Sequence, residues 1–172
     1  MPKHRYCKLT NAIERIEKDI GTILIKKQSS RYFEGIVLMY SLIENIHRWL
    51  VFLKVVWDKC NRTLPAREFE SLKKYCNQQD FYSALNLALA TNLIKHSLFR
   101  KIDEIRRERN DMIHQCYIFT HRRNGHVLRA KLKRIVNIAD ELFVVFNNLV
   151  QETGADDSYD IFKMRRSKQM LI

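Results

Sequence analysis

The sequence predicts an all-α protein, a helical bundle of about five helices that run up and down. Turn-forming residues are scarce, since the 172 residues include only 4 Gly and 2 Pro. Sandwiches, barrels and doubly wound sheets contain many turns built from these residues, so the composition argues against them. Apolar side chains also recur every three or four residues, the spacing of amphipathic helices.

The length suits a single helical domain, which we place at residues 1–154. Residues 155–172 are predicted to form a flexible charged tail, acidic at first and basic later.

The first two predicted helices cover residues 11–27 and 31–59. Asn11 with Glu14 three residues later resembles a capping box at the start of the first helix. Each helix carries an apolar stripe, and Gln28-Ser29-Ser30 interrupts the pattern between them.

A short third helix is predicted at residues 65–76, because Pro65 suits a first helical turn. Asp80 is the expected N-cap of the fourth helix, which starts at Phe81. A new helix starts near Ser97 and its pattern continues to about Phe119. The last helix covers residues 127–151, after an Asn-Gly pair that indicates a turn.

The protein is expected to be cytoplasmic. The most apolar stretch, residues 36–57, contains Glu44, His47, Arg48 and Lys54, and the N-terminus lacks an apolar signal core. The four cysteines form no Cys-x-x-Cys pair and are expected to be free, mostly buried thiols.

The net charge of +12 favours an anionic partner, nucleic acid first and an anionic membrane second. Residues 95–134 contain 12 Lys and Arg against 4 Asp and Glu, so the surplus is concentrated there. A solvated helix face produces the same charge pattern.

Within this basic segment, Arg109 occupies a core-facing helical position. It completes the spacing of an apolar stripe formed by Ile102, Ile105, Met112, Cys116 and Phe119. A buried guanidinium without a partner is costly. Two explanations are open: a structural one, in which the arginine snorkels to the surface or pairs with Glu44 or Asp111, or a functional role.

A second stripe contains Asp103, Arg107, Asn110 and His114. Asn110 and His114 are four residues apart and therefore neighbours on a helix. Arg109 lies about 140° from His114 around an ideal helix, so the two do not share one face, but the length of the arginine side chain still allows both to flank one cleft.

Residues 109–114, Arg-Asn-Asp-Met-Ile-His, resemble the signature of the HEPN family, the higher-eukaryote and prokaryote nucleotide-binding domain: an Arg, often followed by a polar residue, then a His. The position of the motif near the end of a penultimate helix is similar too, over residues 10–151. The resemblance implies a helical bundle that commonly forms a homodimer with two motifs in one basic cleft. Many members are metal-independent ribonucleases, including toxins and antiphage effectors.

The resemblance implies catalytic roles for Arg109, Asn110 and His114. Arg109 would hold the scissile phosphate and stabilise its growing charge. Histidine ordinarily titrates near neutral pH, so His114 would transfer a proton to or from the 2′-hydroxyl or the 5′-oxygen. Asn110 would orient His114 or a phosphate oxygen. The expected products carry 2′,3′-cyclic phosphate and 5′-hydroxyl ends, and no cofactor or metal is expected.

Three further residues are candidates for a supporting role. Some family members carry an acid followed four residues later by a base on an earlier helix, as Glu44 and Arg48 do here, although an ordinary surface ion pair explains the same spacing. Toxins with a nucleotidyltransferase antitoxin carry a tyrosine two residues after the His. Here Cys116 fills that place and Tyr117 follows, which argues against that pairing.

The expected partner is RNA, with an antitoxin or a regulatory protein as a further candidate. The predicted nucleic-acid-binding residues are Arg106, Arg107, Arg122 and Arg123. A non-catalytic RNA- or nucleotide-binding subunit of the same fold is the alternative, and an interaction bundle with a basic face is a third.

Overall fold

The computed structural model describes residues 6–60, 66–114 and 125–152, and this part of the chain is an all-α helical bundle, as the sequence predicts. It contains six α-helices, one for each helical segment predicted from the sequence, and no strand. A 3₁₀ turn at Ser29–Arg31 precedes the second helix. The helices are α1 (Tyr6–Ile25), α2 (Tyr32–Cys60), α3 (Ala66–Gln78), α4 (Phe81–Ala90), α5 (His96–His114) and α6 (Gly125–Glu152).

The centre of the bundle is α2, which packs against each of the other five helices. Ile36, Ile43, Ile46 and Leu50 are fully buried on it. The most extensive packing joins α2 to α6, where Leu132, Ile135 and Leu142 are also fully buried, and α5 contacts both helices. The burial of these aliphatic side chains is the main stabilising contribution to the fold.

By length and composition, Tyr32–Val55 of α2 is apolar enough to cross a membrane. However, 61% of its 18-residue apolar window is buried inside the protein, and the core helix of a soluble protein passes the same test. The cytoplasmic location therefore stays a prediction.

Of the two predicted N-terminal helix caps, one is wrong and the other is confirmed. Because α1 already begins at Tyr6, Asn11 lies inside the helix and the predicted capping box is wrong. An asparagine in a helix interior costs only a fraction of 1 kcal/mol, roughly, so a longer helix tolerates it. Asp80 does cap α4, because its carboxylate accepts a hydrogen bond from the Ser83 backbone N–H at 3.0 Å.

Two helices end at left-handed residues that are not glycine. Lys27 follows α1 with φ 50°, and Asn92 follows α4 with φ 56°. After α1, the Gln28 N–H donates to the Ile23 carbonyl at 3.1 Å, the long hydrogen bond of a Schellman motif. The scarcity of glycine therefore does not exclude turns that need a positive φ.

Gly35 of α2 serves helix packing instead. A Cβ atom there would lie 3.1 Å from the tips of both Ile20 on α1 and Leu132 on α6. The missing side chain thus lets α1 and α6 approach α2 closely.

Among the cysteines, Cys76 on α3 is free and buried, as expected, and burial raises the pKa of its thiol. The predicted tail at residues 155–172 lies outside the described residues.

Candidate functional site

The candidate site lies where α5 crosses α2, around Arg109. Ile105 and Met112, one helical turn to either side, are buried, which confirms that Arg109 belongs to the core-facing stripe. Its side chain is 33% exposed, and its Nη1 atom lies 3.6 Å from Oε2 of Glu44. Of the two ion-pair partners considered from the sequence, Glu44 is therefore the one that the structure shows beside Arg109.

Glu44 also binds Arg48 on its own helix. Arg48 Nη2 donates to Glu44 Oε1 at 2.6 Å, and both side chains are mostly buried. The predicted i,i+4 pair is real, but it is not an ordinary surface pair because the same carboxylate faces an arginine from α5. Reduced exposure to water makes such contacts stronger than those on the surface.

A second ionic layer joins α5 to α6 beside Arg109. Lys131 Nζ lies 3.0 Å from Oε2 of Glu108, and Arg134 Nη1 donates to Oε1 of the same residue at 2.9 Å. Arg134 also pairs with Glu104. Both glutamates that precede Arg109 on α5 are thereby held by basic groups of α6.

The Tyr40 hydroxyl of α2 is buried near this layer and has no hydrogen-bond partner among the described residues. Burial raises the pKa of Tyr40, and the negative charge of Glu108 adds to the effect. The group is therefore a neutral phenol at physiological pH.

Asn110 and His114 are exposed on the last turns of α5. The structure does not place them beside Glu44, since they lie on the second stripe of the helix. The core-facing Arg109 and the exposed His114 therefore occupy different faces of α5.

Asp103, on the same stripe, is buried, because two arginines cover it. Arg106 Nη2 lies 2.8 Å from one of its oxygens, and Arg107 Nη2 lies 2.6 Å from the other. Arg107 nevertheless remains 71% exposed, so its guanidinium is accessible to an anion.

The basic segment at residues 95–134 is less electropositive than its composition indicates. Ten of its Lys and Arg residues lie in the described ranges, and six of these form ion pairs with carboxylates. Glu44 and Glu141, which lie outside the segment, supply two of these pairs. A count of charges along the sequence cannot include such long-range partners.

The sequence analysis did not reveal the environment of His47 on α2. It is fully buried, and neither ring nitrogen has a hydrogen-bond partner among the described residues. Its ring packs edge-to-face on Phe81 of α4, with centroids 5.9 Å apart. Burial lowers the pKa of His47 to about 4, so the ring is neutral at physiological pH.

Three predicted site residues, Tyr117, Arg122 and Arg123, lie outside the described residues. Within the described ranges, no group of three or more His, Cys, Asp or Glu side chains is arranged to hold a metal ion.

Comparison of the chain with family models, with curated proteins and with solved structures found no match.

Proposed function

We propose that the protein is a metal-independent endoribonuclease that acts as a homodimer. The observation that carries the proposal is the convergence of Glu44, Arg48 and Arg109 at the α2–α5 crossing. The contact of Glu44 with Arg109 also fits the structural ion pair considered from the sequence, and its simultaneous bond to Arg48, the other member of the supporting pair, favours the functional role.

The proposed cleavage uses only chemical groups of the RNA and of this chain. RNA carries its own nucleophile, the 2′-hydroxyl. The 2′-oxygen forms a bond to phosphorus as its proton passes to a base, and the bond to the 5′-oxygen breaks as that oxygen receives a proton. The products are a 2′,3′-cyclic phosphate and a 5′-hydroxyl.

The residues divide this work between charge stabilisation and proton transfer. Arg109 stabilises the negative charge that grows on the phosphate oxygens, and Glu44 fixes the direction of its guanidinium. His114 transfers the proton, with Asn110 orienting it or a phosphate oxygen. His114 accepts the proton of the 2′-hydroxyl and gives a proton to the 5′-oxygen, so each site needs one copy of His114.

The dimer also explains how Arg109 and His114 act on one phosphate. They are about 140° apart around α5, so a cleft between two copies brings them together more readily than one protomer does. Mixing Arg109→Ala with His114→Ala protein tests this point, because exchange of subunits restores one complete site only if the residues combine across the interface.

Cleavage of RNA in EDTA tests the activity. We expect wild-type protein to release fragments with cyclic phosphate ends, and Arg109→Ala to lose about 100-fold or more in rate. Arg31→Ala is the matched control, since it removes an arginine from the exposed pair with Glu34, on α2. If the wild type cleaves no RNA, or Arg109→Ala cleaves like Arg31→Ala, the proposal is wrong.

The second candidate is an RNA-binding subunit without catalysis. The specific observation in its favour is that Glu44 already neutralises part of the Arg109 charge. Salt-dependent RNA binding without any cleavage supports this function. If the protein neither binds nor cleaves RNA, the remaining candidate is an interaction bundle with a basic face.

A further inference from the structure

We propose that Tyr82 is a stacking platform for one base of a single-stranded RNA, which the exposed face of α5 leads toward His114. This inference rests on the proposed function, because it takes RNA as the ligand. No sequence motif pointed to Tyr82, and its role follows from where α4 places it against α5.

The ring of Tyr82 is both exposed and held in place. It is 46% exposed, a large fraction for an aromatic side chain. The Arg106 guanidinium lies over the ring, with Cζ 4.6 Å from the centroid. Arg106 is fixed in turn by Asp103, so one side of the ring carries a guanidinium with its own anchor. A fixed aromatic ring beside an arginine is the arrangement with which proteins stack unpaired bases.

The charges around the ring suit a phosphate next to the stacked base. One carboxylate, Asp103, is shared by Arg106 and Arg107, so this trio carries a net charge of about +1. Arg107 is the accessible member, because its side chain is 71% exposed. A flat ring beside two arginines that share one carboxylate fits a nucleotide better than it fits an acidic peptide, which needs no ring.

The same face of α5 leads from this ring to the proposed catalytic histidine. Asp103, Arg107, Asn110 and His114 lie within an arc of about 60° around the helix. The distance along the axis from Asp103 to His114 is about 16 Å. A strand with the stacked spacing of about 3.4 Å per nucleotide crosses it in about five nucleotides.

The test measures binding of a labelled oligouridine of about eight nucleotides by fluorescence anisotropy, in EDTA and across a salt series. It uses a 2′-O-methyl sugar at every nucleotide, so that the probe keeps the 2′-oxygen of RNA but has no nucleophile for cleavage. We expect Tyr82→Ala to weaken binding by about 5- to 150-fold, the range of one lost base stack. Tyr82→Phe keeps the ring and should bind within about twofold of the wild type. Because stacking neutralises no phosphate, the salt dependence of Tyr82→Ala should match that of the wild type.

Tyr75→Ala is the matched control, since Tyr75 of α3 is also an exposed tyrosine, at 58%. Equal affinities of Tyr82→Ala and Tyr75→Ala would overturn the inference, and so would a loss of affinity in Tyr82→Phe. Thermal unfolding of each variant separates lost stacking from lost folding. If Tyr82→Ala does not fold, the affinity of Tyr82→Phe decides the test.

The proposed function fails separately from this inference. If the wild type neither binds nor cleaves RNA, both are wrong. If the wild type cleaves RNA and Tyr82→Ala binds the probe as the wild type does, only the stacking platform is wrong.

Discussion

The Glu44 carboxylate of α2 lies 3.6 Å from the Arg109 guanidinium of α5, and its other oxygen accepts a hydrogen bond from Arg48. This contact resolves how an arginine can occupy a core-facing position of an otherwise apolar stripe. It also keeps a negative charge beside the guanidinium, on a carboxylate that is itself bound to a neighbour on its own helix.

The first prediction concerns the carboxylate. Glu44→Gln should lower the rate of RNA cleavage by about 10- to 100-fold, because Arg109 loses its fixed direction. RNA binding should be retained, since the change removes a negative charge from a basic protein. We also expect a loss of about 1–3 kcal/mol in the free energy of unfolding, measured with urea, because two partly buried arginines lose their partner.

Glu141→Gln is the control for Glu44→Gln. It makes the same change of charge at an exposed pair with Lys101, where the expected loss of stability is about 0–1 kcal/mol. Equal cleavage rates for the two variants would show that Glu44 does not position Arg109.

The second prediction concerns acid stability at His47. The pKa of His47 is about 4 in the folded protein, below the ordinary value of 6.5. The unfolded chain therefore binds the proton more tightly, and stability is lost as the pH falls from about 6.5 to about 4. The loss from this group is about 3 kcal/mol over that range.

His47→Leu removes this acid sensitivity. Because both ring nitrogens are buried without partners, we expect the variant to be about 1 kcal/mol more stable than the wild type at neutral pH. The advantage should grow as the pH falls, in urea unfolding measured at several pH values. His96→Leu, at an exposed position, should show no such growth, and a constant difference for His47→Leu would contradict the burial of a neutral ring.

The third prediction concerns the left-handed residue after α1. Lys27→Gly should raise the free energy of unfolding by about 0.5–1 kcal/mol, because glycine adopts a positive φ without strain. Asn92→Gly should gain less, since asparagine tolerates this conformation better. Thermal unfolding measures both, and a destabilised Lys27→Gly would show that the lysine side chain has a role beyond its backbone conformation.

Periodicity alone was sufficient to predict much of the fold. The apolar stripe of α2 and the Asp80 cap could be read because both depend on residues close together in the chain. The start of α1 was missed because Asn11 is equally suited to a cap and, at a small cost, to a helix interior.

The candidate site was predictable in its residues but not in its contacts. A stripe shows that Arg109 faces inward, whereas the choice of Glu44 depends on how α5 crosses α2. Likewise, the compensation of Arg134 by Glu104 and Glu108 requires α5 and α6 to be neighbours. No sequence pattern indicated a role for Tyr82, because the proposed stacking surface depends on Arg106 from another helix.

The most direct test of the central claim is the rate of RNA cleavage by His114→Ala in EDTA. His126→Ala is the matched control, because His126 is an exposed histidine near the start of α6. We predict that His114→Ala loses about 100-fold or more in rate, while RNA affinity stays close to that of the wild type. Cleavage by His114→Ala at the rate of His126→Ala would contradict the account.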